Sequence, residues 1–146
     1  MGLKTALGDG PVALDTSIFI YFMEGDPRWL PIIRPLFAAA AAGERRLITS
    51  SVTLLEVLVV PYQSGDLAIS ERYEALLTRG RGLSLIEVDR PILRAAAQVR
   101  AIYRIRTPDA LQIAAALASR CTAFVTNDRR LPQIKGLRIV QLSDLT

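Results

Sequence analysis

The sequence predicts an α/β domain: a central parallel sheet of four to five strands, flanked by helices on both faces. Three observations predict it. Short apolar, β-prone runs recur along the 146 residues: VAL at 12–14, LIT at 47–49, LSLIEV at 83–88, AFVT at 123–126 and RIVQL at 138–142. Longer stretches of helical character separate them, and strands alternating with helices imply a parallel sheet covered on both sides. Residues of apolar type make up 51% of the chain, enough at this length for one core and a single domain over 1–146.

The elements follow in order. IFIYFMEG after the first strand reads as a helix, and PRWLPIIRPLFAAAAAGE as a second that ends at Gly43. SVTLLEVLVV reads as a third, stopped by Pro61. DLAISERYEALLTRG closes on Gly80, where a C-cap belongs. DRPILRAAAQVRAIYRI opens on Asp89 as N-cap with Pro91 in the first turn, and TPDALQIAAALASR repeats the device with Thr107 and Pro108. No internal repeat, linker or low-complexity tail interrupts the series.

Composition narrows the chemistry. No apolar run approaches the roughly 18 residues of a membrane span. MGLKTALGDG lacks the apolar block of a signal peptide, and Ala6 stands where a myristoylation signal needs Ser or Thr. The single cysteine, Cys121, excludes an internal disulfide and fits a reducing, cytoplasmic setting. With no histidine, the usual zinc sites and the Ser-His-Asp or Cys-His triads are out of reach, so acid chemistry falls to carboxylates. The net charge of +4 is carried by sixteen arginines and two lysines. Arginine forks onto phosphates, which suits a nucleic acid, although an Ala- and Arg-rich coding bias accounts for the charge equally simply.

Within LLEVLVV, residues 54–60, Glu56 is the one polar residue, and no Lys or Arg stands three or four positions away. An unpaired carboxylate in such a setting costs several kcal/mol if buried. Three other acids also avoid the Gly-, Pro- and Arg-rich stretches: Asp15 ends the first strand, Asp109 begins a helix, and Asp128 follows the fourth strand. Each has a plain explanation as a cap, a dipole partner or a turn residue. Together they say more. Ligands of a parallel α/β sheet bind beyond the carboxyl ends of its strands, where this topology allows Asp15, Glu56 and Asp128 to converge. Asp109 joins them if the helix over 89–105 returns the chain to that side. Clustered carboxylates without His or Cys select a hard cation, Mg²⁺ or Mn²⁺, and the matching chemistry is phosphoryl transfer or phosphodiester hydrolysis.

The segments LDTSIFI, SVTLLEV, TPDALQIAAALA and FVTNDRRL, in that order, resemble the four acidic motifs of PIN-domain ribonucleases, most closely the VapC toxins of toxin–antitoxin pairs. The resemblance runs from Val12 to about Leu142 and implies the PIN-like version of the fold. It implies that Asp15, Glu56, Asp109 and Asp128 are the catalytic, metal-binding quartet, Asp128 directly or through water. Ser17 and Thr126 match supporting hydroxyl positions, with helix-start and strand-end roles as the alternative. The first motif lies about ten residues further in than usual, so 1–10 reads as a short N-terminal extension.

The resemblance further implies an RNA substrate, a cognate antitoxin and a homodimer, with no membrane association. Five of nine aromatic residues crowd the region Phe19–Phe37, and Trp29, between Pro27 and Pro31, is expected to be exposed for a partner. Arg129 and Arg130, beside Asp128, are expected to meet RNA phosphates; Arg90, Arg94, Arg100 and Arg104 share one helix face and read as a solvated stripe. A haloacid-dehalogenase-like phosphatase needs a second Asp where Ser17 stands, and a receiver domain needs an acidic pair at Asp15 and a Lys after a late strand. The remaining alternative is a PIN-like module that binds RNA or protein without cutting.

Overall fold

The structure, a computed structural model, describes residues 3–145. After a short helix α1 (Leu3–Leu7), the chain forms β1 (Val12–Leu14), α2 (Thr16–Glu24), α3 (Leu30–Ala41), β2 (Leu47–Ser50), α4 (Val52–Ser64) and α5 (Leu67–Arg79). It continues through β3 (Leu83–Ile86), α6 (Arg90–Tyr103), α7 (Thr107–Ala118), β4 (Ala123–Thr126) and β5 (Arg138–Gln141), and ends in a single 3₁₀ turn, Leu142–Leu145. The five strands pair in parallel in the order β3-β2-β1-β4-β5. The chain therefore starts in the middle, builds outward on one side, and crosses over to build the other. That reversal opens a crevice at the carboxyl ends of β1 and β4.

Register explains the two cores. Ala13 pairs with Ile48 on one side and Phe124 on the other. This row packs under Ile92, Ala96 and Val99 of α6 and Ala110, Ile113 and Ala114 of α7. The alternate positions Val12, Leu14, Leu47 and Val125 face Ile18 and Phe19 of α2, Ile33 and Leu36 of α3, Val57 of α4 and Leu77 of α5. Strands buried on both faces explain why the runs read as continuously apolar. Each fully buried Leu, Ile or Phe contributes about 1.5–3 kcal/mol, and Phe19, Phe124, Leu14 and Ile113 are all of this kind. Burial also pushes the Cys121 thiol up to about 12, which leaves it inert.

Several expectations need correction. Pro61 does not stop its helix: α4 runs on to Ser64 and is closed by Gly65, with the Asp66 amide bonding the Pro61 carbonyl at 2.9 Å. Pro61 withdraws one donor near the end of the helix, where the turn beyond it is held by this cap. Asp89 caps α6 as expected, through the Ile92 amide at 3.0 Å. Thr107, by contrast, lies inside α7, and the capping position belongs to Arg106 with no side-chain cap bond. Trp29 is buried, at 7% exposed, because it stacks on Tyr21 and carries the Arg28 guanidinium 4.5 Å over its ring.

Met1 and Gly2, the start of the expected extension, lie outside the described residues. Its remainder is tied to the body: Leu7 is fully buried, Thr122 donates to the Leu7 carbonyl, and Arg45 donates to the carbonyls of Gly8 and Gly10.

Candidate functional site

Asp15 stands at the junction of β1 and α2. Its extended backbone lets the Asp15 amide continue the sheet onto the Val125 carbonyl, at 3.0 Å, while the side chain caps α2. Oδ1 accepts from the Thr16 amide at 2.8 Å, and Oδ2 accepts from the Thr126 hydroxyl at 2.7 Å. Thr126, fully buried at the end of β4, also accepts from the Asp128 amide at 3.0 Å. One hydroxyl thus links the first acid to the fourth.

Glu56 lies in the second turn of α4. Within the protein, Thr16 Oγ1 donates to Glu56 Oε1 at 2.6 Å, and the side chain is half-buried. Thr16 lies across the fold, so a search of neighbours along α4 could not find it.

Asp109 occupies the first turn of α7, where the helix dipole favours a carboxylate, and pairs with Arg106 at 3.5 Å. The turn between α6 and α7, with Arg104 in the left-handed conformation, brings this helix start to the strand-end side. Asp128 is gripped by Arg130, whose Nε donates to Oδ1 at 3.0 Å and Nη2 to Oδ2 at 3.1 Å.

All four acids line one open cleft of about 350 Å³, with Arg106 and Arg130 on its rim. Its electrostatics are uneven. Burial raises the pKa of Asp15, the bonds from Thr126 and Thr16 oppose that, and the charges of Asp109 and Glu56 raise it further. Arg130 holds Asp128 below the usual carboxylate range, chiefly by its hydrogen bonds. Asp109 and Asp128 are thus paired with arginines, whereas Asp15 and Glu56 accept from neutral hydroxyl and amide donors.

Such a donor set, all carboxylate oxygen, fits a hard divalent cation. Among the described residues no group of three acids is arranged to hold a metal ion as the side chains stand. Mg²⁺ does not require one, since it keeps several waters and takes one or two protein carboxylates. Thr16 hydrogen-bonds both Asp15 and Glu56, through its amide and its hydroxyl.

The other expected residues divide. Ser17 lines the cleft, but the hydroxyl that reaches an acid beside it is that of Thr16. Arg130 faces the cleft, whereas Arg129 turns away and donates to Ser143 at 2.7 Å. Arg90, Arg94, Arg100 and Arg104 are exposed and outside the cleft lining.

Sequence reasoning missed Thr16, Arg106, Gln112 and Tyr21, whose hydroxyl accepts from Asn127 beside Asp128 at 3.0 Å. Gln112 alone carried a readable signal: it is the one polar residue in the run ALQIAAALA, the same anomaly that marks Glu56.

Comparison with known proteins gives a consistent picture. The profile of the PIN domain family matches residues 12–137. No curated protein sequence matches the chain. Among solved structures, VapBC2 from Rickettsia felis bound to a DNA fragment from its promoter is similar at 18% identity and a TM-score of 0.69, over 89% of this chain and 97% of that one. DNA-bound VapBC from Salmonella typhimurium is similar at 26% identity and a TM-score of 0.63, over 91% and 98%. VapBC-5 from Mycobacterium tuberculosis, from a family of toxin–antitoxin systems, is similar at 23% and 0.57, over 91% and 98%.

Proposed function

Because the chain belongs to the PIN domain family, we propose that it is a divalent-metal-dependent endoribonuclease acting as the toxin of a toxin–antitoxin pair. The observation that carries this reading is the meeting of four carboxylates in one cleft, where the charges of Asp109 and Glu56 bear on Asp15.

In this reading Asp15 and Glu56 hold Mg²⁺ or Mn²⁺, with Asp109 and Asp128 completing the site directly or through water. The ion, when bound, polarises the scissile phosphate and makes a water nucleophilic at neutral pH. The chain's own residues do the positioning. Thr126 and the Thr16 amide take the two lone-pair directions of Asp15 that face the protein, so its remaining lone pairs point to the cleft. Thr16 does the same for Glu56. Arg130 sits where its fork can pass from Asp128 to a substrate phosphate, the geometry for which arginine is suited. Arg106 on the opposite rim belongs to the same role.

The similar VapBC complexes support an antitoxin partner, and a homodimer belongs to the same proposal. Leu55, Val60 and Tyr62 of α4 and Ile102 of α6 are well exposed, apolar surface of the kind that marks protein contacts. Among the described residues no helix is long and apolar enough to cross a membrane.

The test is cleavage of total cellular RNA by the purified, antitoxin-free protein with Mg²⁺ or Mn²⁺, repeated in excess EDTA. Cutting that EDTA abolishes is expected. Absence of cutting by the folded protein would leave an RNA- or protein-binding module.

A second prediction separates the two adjacent arginines. Arg130→Ala should raise KM for RNA by about 10- to 100-fold, the loss of one charge-assisted contact. Arg129→Ala should leave KM within about twofold, because its guanidinium is engaged with Ser143. Equal effects in steady-state assays at saturating metal would remove the distinction.

A further inference from the structure

We infer that Gln112 is a positioning residue that aims Thr16 at Glu56 and locks the Asp109 helix against the sheet, so preparing the two acids for a metal ion; this rests on the metal-site reading above. Gln112 is 2% exposed, and both ends of its amide are hydrogen-bonded. Oε1 accepts from the Ser50 amide at 3.2 Å and lies 3.3 Å from the Thr49 hydroxyl, which also reaches the Leu14 carbonyl at 3.0 Å. A backbone N–H can only donate, so this end of the amide is oxygen and its orientation follows without ambiguity. Nε2 then donates to Thr53 Oγ1 at 2.6 Å and to Thr16 Oγ1 at 3.3 Å.

The direction of these bonds matters. A hydroxyl has one proton and can accept from a second donor. Nε2 supplies Thr16 with a donor that can accept nothing, whereas the Thr53 hydroxyl, also 3.3 Å from Thr16 Oγ1, could do either. Gln112 therefore favours sending the Thr16 proton to Glu56 Oε1, the bond seen at 2.6 Å. An acceptor in place of Nε2 would compete with Glu56 for that single proton. Gln112 also lies one turn beyond Asp109 on α7, and its bonds reach α2, β2 and α4. A side chain placed there for packing alone has no need of such directionality, since an apolar residue of similar volume fills space without burying an amide.

The experiment strips the protein with EDTA and titrates it with Mn²⁺, reading affinity by calorimetry or by the electron paramagnetic resonance of free Mn²⁺, alongside the melting temperature. The variants are Gln112→Met, the near-isosteric Gln112→Glu, Thr16→Val, and Gln112→Met combined with Thr16→Val. Gln112→Met and Gln112→Glu are expected to weaken Mn²⁺ binding about tenfold or more, as loss of a residue that orients a metal ligand does. In the Thr16→Val background, Gln112→Met should add less than it does alone, because the route to Glu56 is already cut. Should Gln112→Met fail to fold, Gln112→Leu carries the comparison, since it too places no charge at this buried position. Unchanged Mn²⁺ affinity in a folded variant, or independent effects in the combined variant, overturns the assignment. A wild type that binds no Mn²⁺ overturns the nuclease reading, and this inference with it.

Discussion

Asp15→Asn is expected to reduce RNA cleavage by at least about 100-fold, the rate equivalent of several kcal/mol of metal-assisted charge stabilisation, while raising the melting temperature of the metal-free protein. The stability effect follows from the setting of the carboxyl group. Burial, the largest influence on Asp15, outweighs the bonds from Thr126 and Thr16, and the charges of Asp109 and Glu56 add to it. Its pKa is therefore raised from 3.8 in the folded chain. An acid with a raised folded pKa costs stability once ionised: the cost begins as pH climbs past 3.8 and is complete above the folded pKa. The wild type bears that cost wherever Asp15 is ionised, and the Asn variant, which does not ionise, bears none. Asn keeps the oxygen that accepts from the Thr16 amide, while its NH2 group reverses the bond with Thr126, whose hydroxyl now accepts.

The stability difference should shrink as the pH is lowered toward 3.8. Added Mn²⁺ should stabilise the wild type and not the variant, because ligand binding to the folded state raises apparent stability. Thermal melts at several pH values, with and without Mn²⁺, check all three statements. An Asn variant that melts below the wild type at neutral pH would show that the Thr126 bond, not burial, dominates at this position.

Gly82→Ala should be strongly destabilising for the addition of a single methyl group. Gly82 closes the turn into β3 with φ +73, and its carbonyl accepts from the Leu47 amide at 2.8 Å. A Cβ there would lie 2.3 Å from the Ala40 carbonyl oxygen and 2.7 and 2.9 Å from the carbon atoms behind it. The left-handed backbone costs a non-glycine residue about 1–2 kcal/mol. The clash adds about 1–3 kcal/mol, because the obstacle is the backbone of α3 and not a side chain that can rotate away. The sum, about 2–5 kcal/mol, is a large part of the stability of a domain this size.

Gly136→Ala supplies the control. Its φ is +85, but nothing lies within 4 Å of the point a Cβ would occupy, so it should lose the strain alone. Urea unfolding should show a midpoint drop at Gly82 at least about twice that at Gly136, with the slope unchanged. Equal drops would discard the Ala40 contact as the cause.

Local sequence made the α/β class legible, because apolar runs of strand length alternate with longer helical stretches bounded by caps such as Asp89. It also picked out Asp15, Glu56, Asp109 and Asp128, each by a local oddity: an acid at a strand end, at a helix start, or inside an apolar run. The failures are also local in kind. Pro61 is a breaker by type, yet one missing donor near a helix end is tolerated. Trp29 sits between two prolines and looks like loop, yet Tyr21 and Arg28 enclose it.

What periodicity, caps and composition determine, then, is a parallel α/β domain with four unusual carboxylates, and chemistry confined to oxygen ligands. Tertiary structure alone decided how those carboxylates are held. The strand order β3-β2-β1-β4-β5 sets β1 between β2 and β4, so that Thr126 reaches Asp15 across 111 positions, Thr16 reaches Glu56 across 40, and Gln112 reaches Thr16 across 96. A hydrogen bond acts over about 3 Å and is indifferent to distance along the chain. Its partners leave a local trace in the sequence only when burial makes a polar residue conspicuous, as it does at Gln112.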